Sequence, residues 1–206
     1  MFLALSGCRT TADTDKDGSF TSLHRALAEK NMSAPAPEHF LICHGYGCRR
    51  QSPVALSSAE WRQIRNLFHP PSRNAAEERQ RISEAVGLME RFSGAQTGTD
   101  RNKAGTFQAA FRNGQMDCED EMMNAAMYFT LFAQHDLIRY HRLAGEAHRG
   151  FFLGGWPHRA VRLEDTENGD IYVLDSWFHD NGHPAEILPY TVWRGGWRPA
   201  KEIAKE

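Results

Sequence analysis

The sequence has no apolar run near the ~20 residues that a membrane-spanning helix needs, so an integral membrane protein is not expected. It has no excess of either charge: 24 Lys and Arg stand against 26 Asp and Glu, for a net charge of -2. Binding nucleic acid by neutralising phosphates needs a basic surplus, so that class is set aside. Cysteine is scarce, at 4 in 206 residues, which excludes a disulfide scaffold. The Cys-x-x-Cys-His signature of covalent haem is missing. No glycine cluster with phosphate-loop spacing follows a strand, so nucleotide binding is rejected as well. What is present is 41% hydrophobic and 11% aromatic residues, enough to bury the core of one domain. The cysteines then have to be read individually.

Leu5-Ser6-Gly7-Cys8 is similar to the bacterial lipobox, in which the cysteine is acylated and becomes the new N-terminus. Met1 to Leu5 supply the end of an apolar segment, and small residues before Cys8 suit a signal-peptidase cleft. An apolar tail with an incidental cysteine is the alternative. Polar residues from Thr10 to Ser19, then Pro35 and Pro37, read as a tether, with room for a short helix around Leu23 to Lys30. The expected organisation is residues 1–37 as signal remnant and lipoprotein tether and 38–206 as one domain, on the periplasmic side of a membrane.

Phe40 to Arg50 reads as a strand end running into a glycine-rich turn. In an oxidising compartment Cys43 and Cys48 can close a small disulfide loop, with Gly45 and Gly47 relieving backbone strain. His39, Cys43, His44 and Cys48 are also a conceivable zinc set, although their spacing matches no ribbon or finger.

Helical patterning begins at Ser57 or Ser58, which caps a helix through Phe68 that Pro70-Pro71 ends. Ala75 to Phe92 repeats the signal, with Ile82, Ala85, Val86, Met89 and Phe92 on one face. Glu77, Glu78, Arg79, Arg81, Glu84 and Glu90 read as its solvated outer face. Ser93 to Thr106 reads as a long loop. Next, Asp117 stands as the N-cap of a helix whose apolar stripe is Met122, Ala125, Ala126, Phe129, Phe132 and Ala133, with Asp120 in the capping-box position. Cys118 therefore falls at the first helical position, where orphan N–H groups and the helix dipole favour a thiolate.

Strand composition follows: His158 to Asp165 and Ile171 to Phe178 flank Asn168-Gly169, a hairpin turn signal. A turn centred between Thr166 and Glu167 sets His158 opposite Asp175, whereas Asn168-Gly169 as central residues sets Arg162 opposite Asp175. In both registers His158 and Asp175 share a face, because side chains alternate with period two. Turn chemistry favours the second register, so a longer loop or a bulge has to restore their pairing. A cysteine at a helix start, a histidine on a strand and an aspartate on the next strand are the components of a nucleophile triad. The thiolate attacks a carbonyl carbon, histidine takes and returns the proton, and aspartate holds the imidazole tautomer. His135, His141, His148, His179 and His183 read as surface or structural histidines, and Trp177, Trp193 and Trp197 as core or cleft-wall aromatics.

The order Cys118, His158, Asp175, with Asp117-Cys118-Glu119-Asp120 opening a helix and Val173-Leu174-Asp175 on a strand, resembles the transglutaminase-like (papain-like) superfamily. The likeness is strongest to bacterial transglutaminase-like cysteine proteinases and to related uncharacterised proteobacterial proteins with Gln-Met-Asp-Cys and Asp-Ser-Trp-Phe segments. It covers roughly residues 80–180; its most specific part is the Asp-Cys-Glu-Asp tetrapeptide. Arg159 departs from it, standing where the family usually continues with apolar residues. The resemblance implies an α+β fold with the nucleophile Cys118 at the N-terminus of a central helix packed on an antiparallel sheet. It implies a cysteine hydrolase acting on a protein or peptide substrate, with an amine-accepting acyl transferase or a non-catalytic binding module as alternatives. It also makes Asp117, Glu119 and Asp120 candidate calcium ligands, as hard carboxylate oxygens suit that ion; macrodipole complementarity alone would also place acids there. The chemistry itself needs no cofactor. For the oxyanion, the Cys118 N–H is one donor and the side-chain amide of Gln115 or Gln108 a second candidate.

Overall fold

The computed structural model describes residues 19–105, 114–150 and 157–200. Helix α1 (Ser19–Glu29) places Leu23 and Leu27, one turn apart, inside the main core together with Met32. Its partner is strand β3 (His141–Arg149). Residues expected to belong to the tether before residue 37 thus include a helix packed into the main core. A tether reading can apply only before Ser19, and Cys8 lies outside the described residues.

Strands β1 (Phe40–His44) and β2 (Arg50–Val54) pair antiparallel, from Phe40 opposite Val54 to His44 opposite Arg50. Cys43 and Cys48 are joined as a disulfide across the connecting turn. Four consecutive residues of that turn have positive φ: Gly45 at 84°, Tyr46 at 72°, Gly47 at 69° and Cys48 at 51°. For Tyr46 and Cys48 this conformation costs roughly 1–2 kcal/mol each, so something outside the hairpin has to hold it.

Helix α2 (Ser58–Leu67) starts in a full capping box between Ser57 and Glu60. Helix α3 (Ala75–Thr97), capped by Asn74, runs five residues beyond the expected end at Phe92. The continuation is favourable because Ser93 is buried and its hydroxyl bonds back to Met89 O and across to the Tyr128 hydroxyl at 2.7 Å. Gly94 then lets the next turn approach, since a Cβ there would lie 2.8 Å from the Asp100 nitrogen. Gly98 ends the helix in the left-handed conformation, and Thr99–Arg101 form a 3-10 turn. The loop expected over Ser93 to Thr106 is thus helical in its first third. Glu78 and Glu90, read as solvated, are buried. Glu78 accepts the Arg139 and Tyr140 N–H groups and bonds His141 at 2.8 Å.

Helix α4 (Cys118–Gln134) is central and buried nearly all round. It packs on β1 and on a four-stranded antiparallel sheet ordered β3, β4 (His158–Asp165), β5 (Ile171–Asp175) and β6 (Glu186–Pro189). The protein is thus α+β with antiparallel sheets. β5 ends three residues before the expected Phe178, while β2, β6 and the short helix α5 (Tyr190–Arg194) carried too little alternation or length to be read from sequence. Val161, Leu163 and Leu174 join the main core, whereas Ala160, Val173 and Leu188 pack around Trp193 in a second, smaller cluster on the other face.

Candidate active site

The site forms where the start of α4 meets the start of β4 and the end of β5. At α4, Asp117 is the N-cap in β conformation, and its Oδ1 accepts the Glu119 and Asp120 N–H groups at 3.1 and 2.9 Å. The Glu121 N–H bonds Asp117 O. Of the first-turn N–H groups, that of Cys118 alone has no partner among the described residues, and an N–H so placed can receive a developing oxyanion.

The remaining oxygens of these acids hold the disulfide hairpin. Asp120 Oδ2 accepts the Tyr46 N–H at 2.7 Å, Asp120 Oδ1 the Cys48 N–H at 2.7 Å, and Asp117 Oδ2 the Gly47 N–H at 3.0 Å. The left-handed run of the turn is therefore an anion nest closed on two carboxylates at the start of α4. Burial and the Asp117 charge push Asp120 up to about 7, against the pull of its N–H donors. Glu119 pairs with Arg159 at 3.4 Å. A calcium site takes 6–8 oxygen ligands; here N–H donors and a guanidinium already engage the three carboxylates, and among the described residues no group of three metal-ligating side chains occurs. Asp117, Glu119 and Asp120 do not fit a calcium cage, and no chemical step is routed through one.

His158 and Asp175 are brought together. His158 Nε2 and Asp175 Oδ2 hydrogen-bond at 2.7 Å, both side chains being almost fully buried. The register differs from both sequence alternatives: Val161 pairs with Leu174 and Glu164 with Ile171, so Ala160 is the residue that falls opposite Asp175. Face sharing survives, as the parity demanded, and Asp175 reaches His158 diagonally along one face. Asp175 is fixed further by the Trp193 indole N–H on Oδ2 at 2.7 Å and by the Trp177 N–H on Oδ1 at 3.2 Å. The imidazole lies among Trp177, Phe178 and Trp193, at ring-centroid distances of 4.6, 5.4 and 5.6 Å.

Because Asp175 holds Nε2, the neutral ring carries its proton there and leaves Nδ1 as the basic nitrogen. That Nδ1 is buried and has no hydrogen-bond partner among the described residues. Cys118 lies within electrostatic reach of the same strand end: the Arg159 backbone N–H, on the residue after His158, pulls its thiol pKa down. The thiol does not bond Nδ1 in this state. Its pKa is pushed up to about 11, chiefly by burial and then by the Asp117 and Asp175 charges, which outweigh the Arg159 N–H. The helix start therefore does not yield a resting thiolate.

Gln115 is placed elsewhere than expected. Its Nε2 donates to Arg101 O at 2.6 Å and its Oε1 accepts the Lys103 N–H at 3.2 Å, so its amide organises the preceding loop instead of the oxyanion position. Gln108 lies outside the described residues. The other histidines hold structural contacts: His141 with Glu78, His148 with Glu146, His179 with Glu186, and His135 against Trp61. Trp193 as the orienter of Asp175 was not legible as such, since an indole reads first as an apolar ring. No protein-family model, curated protein or solved structure matches the chain.

Proposed function

We propose that the protein is a cysteine hydrolase of the transglutaminase-like, papain type, cleaving a peptide or amide bond through an acyl-enzyme. The observation that carries this is the buried His158–Asp175 pair, whose Nδ1 has no partner among the described residues; the Arg159 N–H of the same strand end and the Asp175 charge both act on the Cys118 thiol. A buried ring nitrogen without a partner costs free energy and calls for a use; proton transfer with Cys118 is that use.

In the reaction His158 Nδ1 removes the thiol proton of Cys118 as the sulfur attacks the carbonyl carbon. Carbon–sulfur bond formation moves charge onto the carbonyl oxygen, and the Cys118 N–H meets it. Collapse breaks the carbon–nitrogen bond, and the imidazolium returns its proton to the departing amine. Water, deprotonated by the same nitrogen, then attacks the thioester; the carbon–sulfur bond breaks, the acid leaves, and the imidazolium returns its proton to the departing sulfur. Asp175 keeps the imidazolium oriented and paired throughout. If an amine replaced water at the last step, the outcome would be acyl transfer.

A binding module without catalysis is the second reading, favoured by the raised thiol pKa. Labelling with a carbonyl-electrophile probe separates the two: a hydrolase forms a Cys118 adduct that is absent in Cys118→Ser, whereas a binding module forms none.

The disulfide in the hairpin suits an oxidising compartment, in line with a periplasmic location and a lipid anchor at Cys8 as part of the same proposal. No described helix is long and apolar enough to cross a membrane. Intact mass of protein extracted from membranes tests the anchor: a diacylated Cys8 terminus supports it, and an unprocessed Met1 terminus contradicts it.

A further inference from the structure

Behind the site lie two acids that the mechanism does not use. Glu121, on α4, and Glu90, on α3, are both buried, and the Glu121 carboxyl is pushed up by burial and then by the Glu90 charge. Glu121 also reaches in two other directions. Its Oε1 accepts the Asn102 side-chain N–H at 2.7 Å, and Asn102 Oδ1 in turn accepts the Met116 N–H at 2.8 Å, two residues before Cys118. Its Oε2 accepts the Ser176 hydroxyl at 2.8 Å, one residue after Asp175. Glu90 Oε2 accepts the Gly182 N–H at 2.8 Å, which anchors the segment following the site.

We propose that Glu121 is a positioning residue, using its two oxygens to fix the loop that carries Cys118 against the strand end that carries Asp175. The inference rests on the hydrolase reading for its consequence, but not for its geometry.

The test compares Glu121→Gln with Glu121→Ala in full-length protein by two readouts. Glutamine keeps a side-chain oxygen and a donor in place; alanine severs both links. In Glu121→Ala the rate constant for probe labelling at Cys118 is expected to fall by about 100-fold with half-saturating probe concentration unchanged, while Glu121→Gln recovers most of it. The low-field proton NMR signal of His158 Nε2–H bonded to Asp175 is expected to persist in Glu121→Gln and to broaden or vanish in Glu121→Ala. This second readout needs no catalysis, so it decides the positioning role even where labelling fails and the hydrolase reading falls with it. An unchanged His158 signal in Glu121→Ala, or glutamine no better than alanine, overturns the positioning role.

Discussion

The Cys48 N–H donates to Asp120 Oδ1 at 2.7 Å although Cys48 lies at φ 51°. The strained turn of the disulfide hairpin is thus held open toward α4 by a carboxylate of that helix. Asp120→Ala leaves the Tyr46 and Cys48 N–H groups without acceptors and should destabilise the fold by about 1–3 kcal/mol. Asp120→Asn, which keeps one oxygen, should cost less. Urea unfolding measures both; equal stability of Asp120→Ala and wild type would show that the nest contributes nothing.

Trp193 ties Asp175 to the second cluster through one hydrogen bond at 2.7 Å. Trp193→Phe keeps an aromatic ring and removes the donor, which for a bond to a charged acceptor is worth about 1.5–3 kcal/mol. Asp175 then loses a restraint and holds the imidazole less firmly, so Cys118 labelling should slow by about tenfold, the equivalent of roughly 1.4 kcal/mol. A variant with wild-type labelling and lowered stability would confine Trp193 to packing.

The Cys118 thiol is pushed up to about 11 from 9.0 by burial and acidic neighbours. With the folded state holding the proton more tightly, its stabilising contribution is complete below 9.0 and is lost as pH passes through about 11. Reactivity follows the same sign. In His158→Ala, alkylation of Cys118 by chloroacetamide should climb steadily toward pH 11, because nothing else removes the proton. In wild type it should level off at lower pH. A neutral-pH plateau in His158→Ala would mean that the thiolate forms without the histidine.

The acids Asp117, Glu119 and Asp120 are engaged by N–H groups and by Arg159. Labelling should therefore be indifferent to a calcium chelator, and added calcium should leave the melting temperature within error. A calcium-dependent rise in melting temperature that Asp120→Asn abolishes would return these carboxylates to a cation site.

Period and capping chemistry carried much of this into the sequence. Asp117, Cys118 and Asp120 were legible because a capping box leaves one unambiguous first helical position. The shared face of His158 and Asp175 was legible because parity survives a register error, although the register itself fell between the alternatives weighed. Buried charge was harder. Glu90 and Glu121 are ordinary helix residues by composition, and only tertiary partners such as Asn102, Ser176 and Gly182 make their burial tolerable. Glu121 did leave a trace, standing in line with Ala125, Tyr128 and Phe132 on an otherwise apolar face. The long reach of α3 was hidden by Ser93 and Gly94, whose usual meaning is loop, and which here serve close packing.

The triad is tested most directly by the rate at which an electrophilic probe labels Cys118 in wild type, Cys118→Ser and His158→Ala, with the site of addition read by peptide mass. Labelling is expected in wild type at Cys118, absent in Cys118→Ser, and slower in His158→Ala by about 100-fold or more, the usual contribution of a general base. Equal labelling of wild type and His158→Ala would contradict proton transfer between the two residues, and with it the proposed hydrolase.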